Sequence, residues 1–186
     1  MKNNGLFVII KSDLYRYGNG VSLLSFVKAL MFNKGFKFTF WMRLSKKFER
    51  TLILSVFFRL FHYYYKRVYT SDIGFRHEIG YGFCMYHVFG TAFSKGVIIG
   101  NNVTIAHNVT IGHVSGLSPR LGNNIYVGPG ACIIGDIYVG NNVVIGANCV
   151  VSKTIPDNAV VVGNPARIVS FNGATDTNVN LWSAEK

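Results

Sequence analysis

A mainly β, parallel solenoid with three short strands per coil, preceded by a small α-helical region, is the fold predicted by this 186-residue chain. Three observations carry that expectation. A six-residue period runs from Ile99 to Val150, turn-forming Gly and Asn recur inside the units, and apolar residues at helical spacing fill an aromatic, basic front. The units read IGNNVT (99–104), IAHNVT (105–110), IGHVSG (111–116), LGNNIY (121–126), VGPGAC (127–132), VGNNVV (139–144) and IGANCV (145–150). IIGDIY at 133–138 departs from them, with Ile134 where Gly or Ala is usual. So short a period suits neither an amphipathic helix nor a hairpin and marks a solenoid. Each unit supplies one strand, Gly and Asn take the positive-φ corners, and three units close a triangular coil.

Residues 6–70 read mainly as helices. Leu23, Val27, Leu30 and Met31 recur at helical spacing, as do Leu54, Phe58 and Phe61, with breaks at Asn19-Gly20 and Asn33-Lys34-Gly35. Degenerate solenoid units begin at Ile73, Ile79 and Met85. The frame then gains two residues, assigned to the interval 91–99, and a four-residue loop within 112–120. After Val151 the repeat dissolves, and 172–186 reads as a loose polar tail. The expected organisation is a helical region at 1–70, a solenoid at 71–171 and a flexible tail at 172–186.

The charge is lopsided. Residues 1–70 hold 13 Lys and Arg against 2 acidic residues, whereas 71–186 hold 6 of each, so all of the formal +11 lies in the front. Such a layer either caps the open end of the solenoid with its cations solvated, or lies on an anionic membrane surface. No nucleic-acid recognition module is visible. No secretory signal is legible, and the greasiest stretch, 52–65, is interrupted by Arg59 and falls short of the roughly 20 residues of a spanning helix. Cys84, Cys132 and Cys149 have no paired spacing, which suits a reducing cytoplasm, with contact at the inner membrane face left open.

Counting by units stacks His87, His107, Pro129 and Ala147 on one face, about 4.8 Å apart per coil. Two imidazoles at one end and a smooth wall above describe a groove of about 14 Å for a long, thin, largely neutral ligand arm. Lys153 and Arg167 come later, near the far end, where they suit phosphates. His113 falls one face round, His62 in the aromatic layer and His77 in the ragged first coil.

At these residues the chain resembles the hexapeptide-repeat (left-handed β-helix) acyltransferases, on their serine acetyltransferase-like branch. The resemblance covers about 71–171. It rests on Asp72-Ile73 followed by His87, the run from His87 to Gly112, the repeats through Ala147, and Gly163-Asn164-Pro165-Ala166-Arg167. It implies a left-handed coil, a homotrimer and acetyl-CoA grooves between neighbouring subunits, with no metal. His87 matches the family's general base and Asp72 its carboxylate partner. Gly112, Pro129 and Ala147 match positions along the CoA arm, and Lys153 and Arg167 lie where its phosphates would rest. A hydroxyl needs such a base to attack a thioester near neutral pH, and a backbone N–H near Gly112 suits the oxyanion.

Two departures bear on the acceptor. Tyr86 replaces an acidic residue before the base, and Ser118 stands where a second histidine precedes Pro119, in a loop four residues shorter. Tyr86, His107, His113 and Ser118 are the candidate acceptor contacts. With the long helical domain of serine acetyltransferases also expected to be missing, these changes favour a sugar hydroxyl of a bacterial polysaccharide, its precursor free or lipid-linked. Serine O-acetylation is the alternative. A metal-dependent hydratase using His107 and His113 lacks an evident third ligand.

Overall fold

The computed structural model describes residues 5–18, 20–114 and 116–183; the Asn19 break and the last three residues of the tail lie outside them. Four helices come first: α1 (Leu6–Tyr15), α2 (Leu23–Phe32), α3 (Lys34–Lys47) and α4 (Leu52–Val68). Ser22 Oγ caps α2 by accepting from Ser25 N, and Asn33 ends that helix while its Oδ1 accepts from Phe36 N to open α3. Helix α3 is the central layer, packed by α1, α2 and α4, with Phe36, Phe38 and Met42 fully buried. Trp41 of α3 stacks on Phe61 of α4 with ring centroids 4.3 Å apart.

The helices are riveted to the first coil by buried charge. Arg43 and Asp13 form an ion pair 3.0 Å long, and the guanidinium also donates to Ile79 O at 2.7 Å and Gly80 O at 2.6 Å. Asp13 Oδ1 in turn accepts from Phe83 N at 2.8 Å. Burial pushes the Asp13 carboxyl up, and Arg43 pulls it back. Every strong donor and acceptor is occupied, the condition under which a buried pair is tolerated. The front therefore caps the open end of the solenoid. No helix among the described residues is long and apolar enough to cross a membrane.

Three parallel sheets form the prism. One stacks β1 (Glu78–Ile79), β4 (Ile98–Ile99), β7 (Arg120–Leu121) and β10 (Tyr138–Val139). The next stacks β2 (Cys84–Met85), β5 (Thr104–Ile105), β8 (Tyr126–Val127), β11 (Val144–Ile145) and β13 (Val160–Val162), with β14 (Arg167–Ser170) antiparallel beyond β13. The third stacks β3 (Ala92–Phe93), β6 (Thr110–Gly112), β9 (Cys132–Ile134) and β12 (Val150–Val151). The aliphatic residue opening each unit points inward, and Ile99, Ile105, Ile111, Val127, Ile133, Val139, Ile145 and Val151 are wholly buried. Each such side chain stabilises the fold by about 1.5–3 kcal/mol relative to exposure. At one corner Asn101, Asn123, Asn141 and Asp157 form a ladder, each side-chain oxygen accepting a backbone N–H from the coil before it. The next residues, Asn102, Asn124, Asn142 and Asn158, carry the positive φ.

Two expectations are corrected. The two-residue insertion does not lie in 91–99. Phe93 pairs with Ile111, so the inward series runs Ile79, Met85, Phe93, Ile99, and the extra residues fall between Met85 and Phe93. Nor does the tail hang loose: Ala174, Asn178 and Trp182 are buried along the asparagine corner. Ala174 N donates to Asn142 Oδ1, Trp182 N to Asn102 Oδ1, and Asn178 accepts from Arg16 Nη2 and Thr104 Oγ1.

Candidate active site

Backbone register builds the upper three positions of the expected column and not the lowest. Met85 pairs with Ile105, Ile105 with Val127 and Val127 with Ile145. Two residues beyond each of the last three stand His107, Pro129 and Ala147, linked by Gly130 N to His107 O at 3.0 Å and Asn148 N to Pro129 O at 2.9 Å. At the lowest coil the insertion intervenes. Asn108 N donates to Phe89 O at 2.8 Å, so Phe89, not His87, fills the ladder slot next to His107. His87 rides the extra turn, at φ 54°, with its carbonyl accepting from Phe89 N at 2.7 Å. Its ring nevertheless meets that of His107, centroids 5.9 Å apart and planes at 82°. His87 is exposed, whereas His107 is half-buried and its Nδ1 has no hydrogen-bond partner.

The helices brace this corner. Tyr17, just beyond α1, accepts from Met85 N at 3.1 Å and meets Tyr86 edge-on at 6.0 Å. Burial pushes the phenols of Tyr17 and Tyr86 up and the Cys84 thiol up to about 12. All three therefore stay neutral, and none is a nucleophile near neutral pH. Lys34 lies over the Phe89 ring at 4.9 Å, and Ser71 Oγ donates to Val88 O, tying the bulge to the chain just before Asp72.

Asp72 is on the neighbouring sheet edge, bridged to Ala92, and its exposed carboxylate is ion-paired with Lys66 at 2.6 Å. Among the described residues it makes no hydrogen bond to His87. Gly112 ends β6, pairing with Ile134, and accepts from Gly135 N at 3.1 Å. His113 stands just past it, at the opposite end of β6 from His107, with its backbone N–H donating to Ser94 Oγ. Ser118 is buried and its Oγ donates to Lys95 O at 2.6 Å, so it anchors the loop. Lys153 is exposed at that same corner, on a later coil, and Arg167 opens β14 beside the last strand of the His107 sheet. One chain therefore unites His87, His107, Pro129 and Ala147, and sets His113, Ser118 and Lys153 one prism edge away. Phe89, Tyr17 and Lys66 escaped the sequence reading. The four residues between Met85 and Gly90, against two between Ile105 and Asn108, were the legible sign of the bulge.

A left-handed parallel β-helix carrying an imidazole pair at one corner defines the class: a hexapeptide-type transferase. The model for bacterial transferase hexapeptide (six repeats) matches residues 118–153. A serine acetyltransferase of Buchnera aphidicola subsp. Schizaphis graminum is 33% identical over 124 residues, 64% of this chain and 47% of the relative. The chain thus spans about half the length of that curated relative. The soybean serine acetyltransferase apoenzyme superposes with a TM-score of 0.75 at 30% identity, covering 88% of this chain and 69% of that one. The serine acetyltransferase of Brucella abortus strain S19 does so with a TM-score of 0.77 at 28% identity, covering 90% and 69%. The chain belongs to the hexapeptide-repeat transferases, on their serine acetyltransferase-like branch.

These matches overturn the polysaccharide reading and its carbohydrate acceptor, because the relatives and structural neighbours are consistently serine acetyltransferases. The reasons are physical. Ser118 is consumed in holding its own loop, so its identity is silent about the acceptor. The front is no foreign appendage either: a superposition covering 90% of the chain must include much of the four-helix cap.

Proposed function

We propose that this chain is an acetyl-CoA-dependent O-acetyltransferase acting on the hydroxyl of serine. The observation that carries the reading is the exposed His87 imidazole, edge-on to His107 at the start of a smooth column, in a chain of the serine acetyltransferase-like branch. His87 takes the proton from the serine Oγ as that oxygen attacks the thioester carbonyl. A backbone N–H near Gly112 stabilises the tetrahedral oxyanion. Its collapse breaks the C–S bond, and the CoA thiolate leaves with the proton that His87 returns. Pro129 and Ala147 line the pantetheine arm, with Lys153 and Arg167 toward its phosphates.

The working unit is a homotrimer in a reducing compartment, in keeping with three free thiols. A neighbouring copy brings its own 113–119 corner, with His113, against the His87–His107 corner, which supplies what one chain separates. We assign Asp72, whose exposed carboxylate is ion-paired with Lys66 through Oδ1, the role of positioning His87. The test is CoA release with L-serine as sole acceptor. Saturable, serine-dependent release that disappears in His87→Ala supports the reading. Release independent of serine, or retained within a few-fold in His87→Ala, overturns it.

A further inference from the structure

The outer helices carry a surface that acetyl transfer does not use. Leu23, Leu24 and Phe32 on α2 and Leu52, Ile53 and Leu60 on α4 are between 63% and 85% exposed. On each helix these residues share the side turned away from α3, while the opposite side is packed. Isolated exposed apolar residues are ordinary, but two helices flanking α3, each displaying several of them along its outer side, are the kind of surface that marks an interaction site.

Cations interleave with this patch: Lys28 lies within it on α2, Lys47 and Arg50 stand just ahead of α4, and Arg67 ends α4 beside Tyr63; all are exposed. Residues 1–70 carry the chain's whole excess of 11 positive charges, and the buried Arg43–Asp13 pair neutralises only one of the cations. A two-fold contact with a second copy would set cation against cation. An anionic bilayer offers headgroups to the Lys and Arg and an acyl boundary to the Leu, Ile and Phe, the complement of an interfacial helix. With 10 and 17 residues, neither helix meets the length and apolarity of a spanning segment, so the contact lies in the interface plane.

We propose that α2 and α4 dock the protein onto an anionic phospholipid membrane surface. The experiment is co-sedimentation of the full chain with vesicles of pure phosphatidylcholine and of phosphatidylcholine with 30% phosphatidylglycerol, the latter fraction being a composition chosen to resemble roughly an anionic leaflet. Binding should favour the anionic vesicles and weaken as salt rises. The triple substitution Leu24→Gln, Ile53→Gln, Leu60→Gln should lower it by at least about tenfold, and Lys28→Glu with Arg50→Glu should abolish the anionic preference. All of these side chains are solvent-facing, so thermal melts should match the parent. Equal binding to both vesicles, or unchanged binding by the triple variant, overturns the proposal. So does a fall in sedimentation mass on triple substitution without any vesicle binding by the parent, which would make a second copy the occupant. CoA release in vesicle-free buffer reports separately on the catalytic reading, so the two can fail independently.

Discussion

The His87 ring stands edge-on to His107, 5.9 Å between centroids, although the two residues are not in equivalent positions of the coil. Phe89 holds the equivalent position, and the two-residue bulge swings His87 outward to where its exposed ring meets the half-buried one. The site is thus made by an irregularity in the repeat, set on a rigid stack that cannot shift to accommodate it.

Replacing His87 by Ala should lower kcat/KM for acetyl transfer by about 10²–10⁴-fold, the usual worth of a positioned base. His107→Ala removes the wall against which that base rests and should cost less, about tenfold. Steady-state kinetics beside size-exclusion profiles separate a chemical loss from a lost assembly. Equal losses would mean that the pair acts as one unit.

Arg43→Met should destabilise the protein by about 3–5 kcal/mol, because it strands the Asp13 carboxylate and the carbonyls of Ile79 and Gly80 in a buried place. Urea denaturation at neutral pH checks it. The double replacement Arg43→Met, Asp13→Leu should recover part of the loss.

Gly35 admits no side chain. A Cβ there would lie 2.0 Å from Met85 O and 2.9 Å from the Tyr17 hydroxyl, and the first of these is backbone. Gly35→Ala should therefore cost about 1–3 kcal/mol. By pushing α3 off β2 it should also impair turnover, since Met85 is two residues from His87. Unfolding curves and CoA release on the same preparation test both effects.

His62 is on the buried side of α4, its Nε2–H donating to Ile73 O at 3.0 Å, and burial lowers its pKa to about 4. Because the folded value lies below that of the unfolded chain, the unfolded state takes up the proton first as pH falls. The stability is complete above about pH 6.5 and drains away toward pH 4, by up to about 3 kcal/mol. His62→Leu should flatten this acid limb by about one proton. Burial also lowers the pKa of His77, so a smaller slope in the same direction should persist.

The repeat was legible because the period-six aliphatic series is a direct image of the inward ladder from Ile99 to Ile145. The first coil was harder. Phe93 is an aromatic residue in an aliphatic slot, and missing it moved the insertion from the His87 corner to the following strand. Counting placed His107, Pro129 and Ala147 in the groove column but put His87 in the slot that Phe89 fills, and it missed the partners of Asp72 and Ser118, Lys66 and Lys95 O, which no repeat spacing announces. The tail misled for another reason. Its residues are polar because their partners are the unpaired edges of the asparagine corner, so low hydrophobicity there signals hydrogen bonding rather than solvent.

Arg16 is almost wholly buried, and its guanidinium is held by Gly82 O, Thr104 Oγ1 and Asn178 Oδ1, the last supplied from 162 positions further along the chain. A ribosome that has just delivered the helical cap has delivered a cation whose final acceptor does not yet exist. Seating of the cap can therefore be completed only after residue 178 has emerged, when two segments 162 positions apart close on one another.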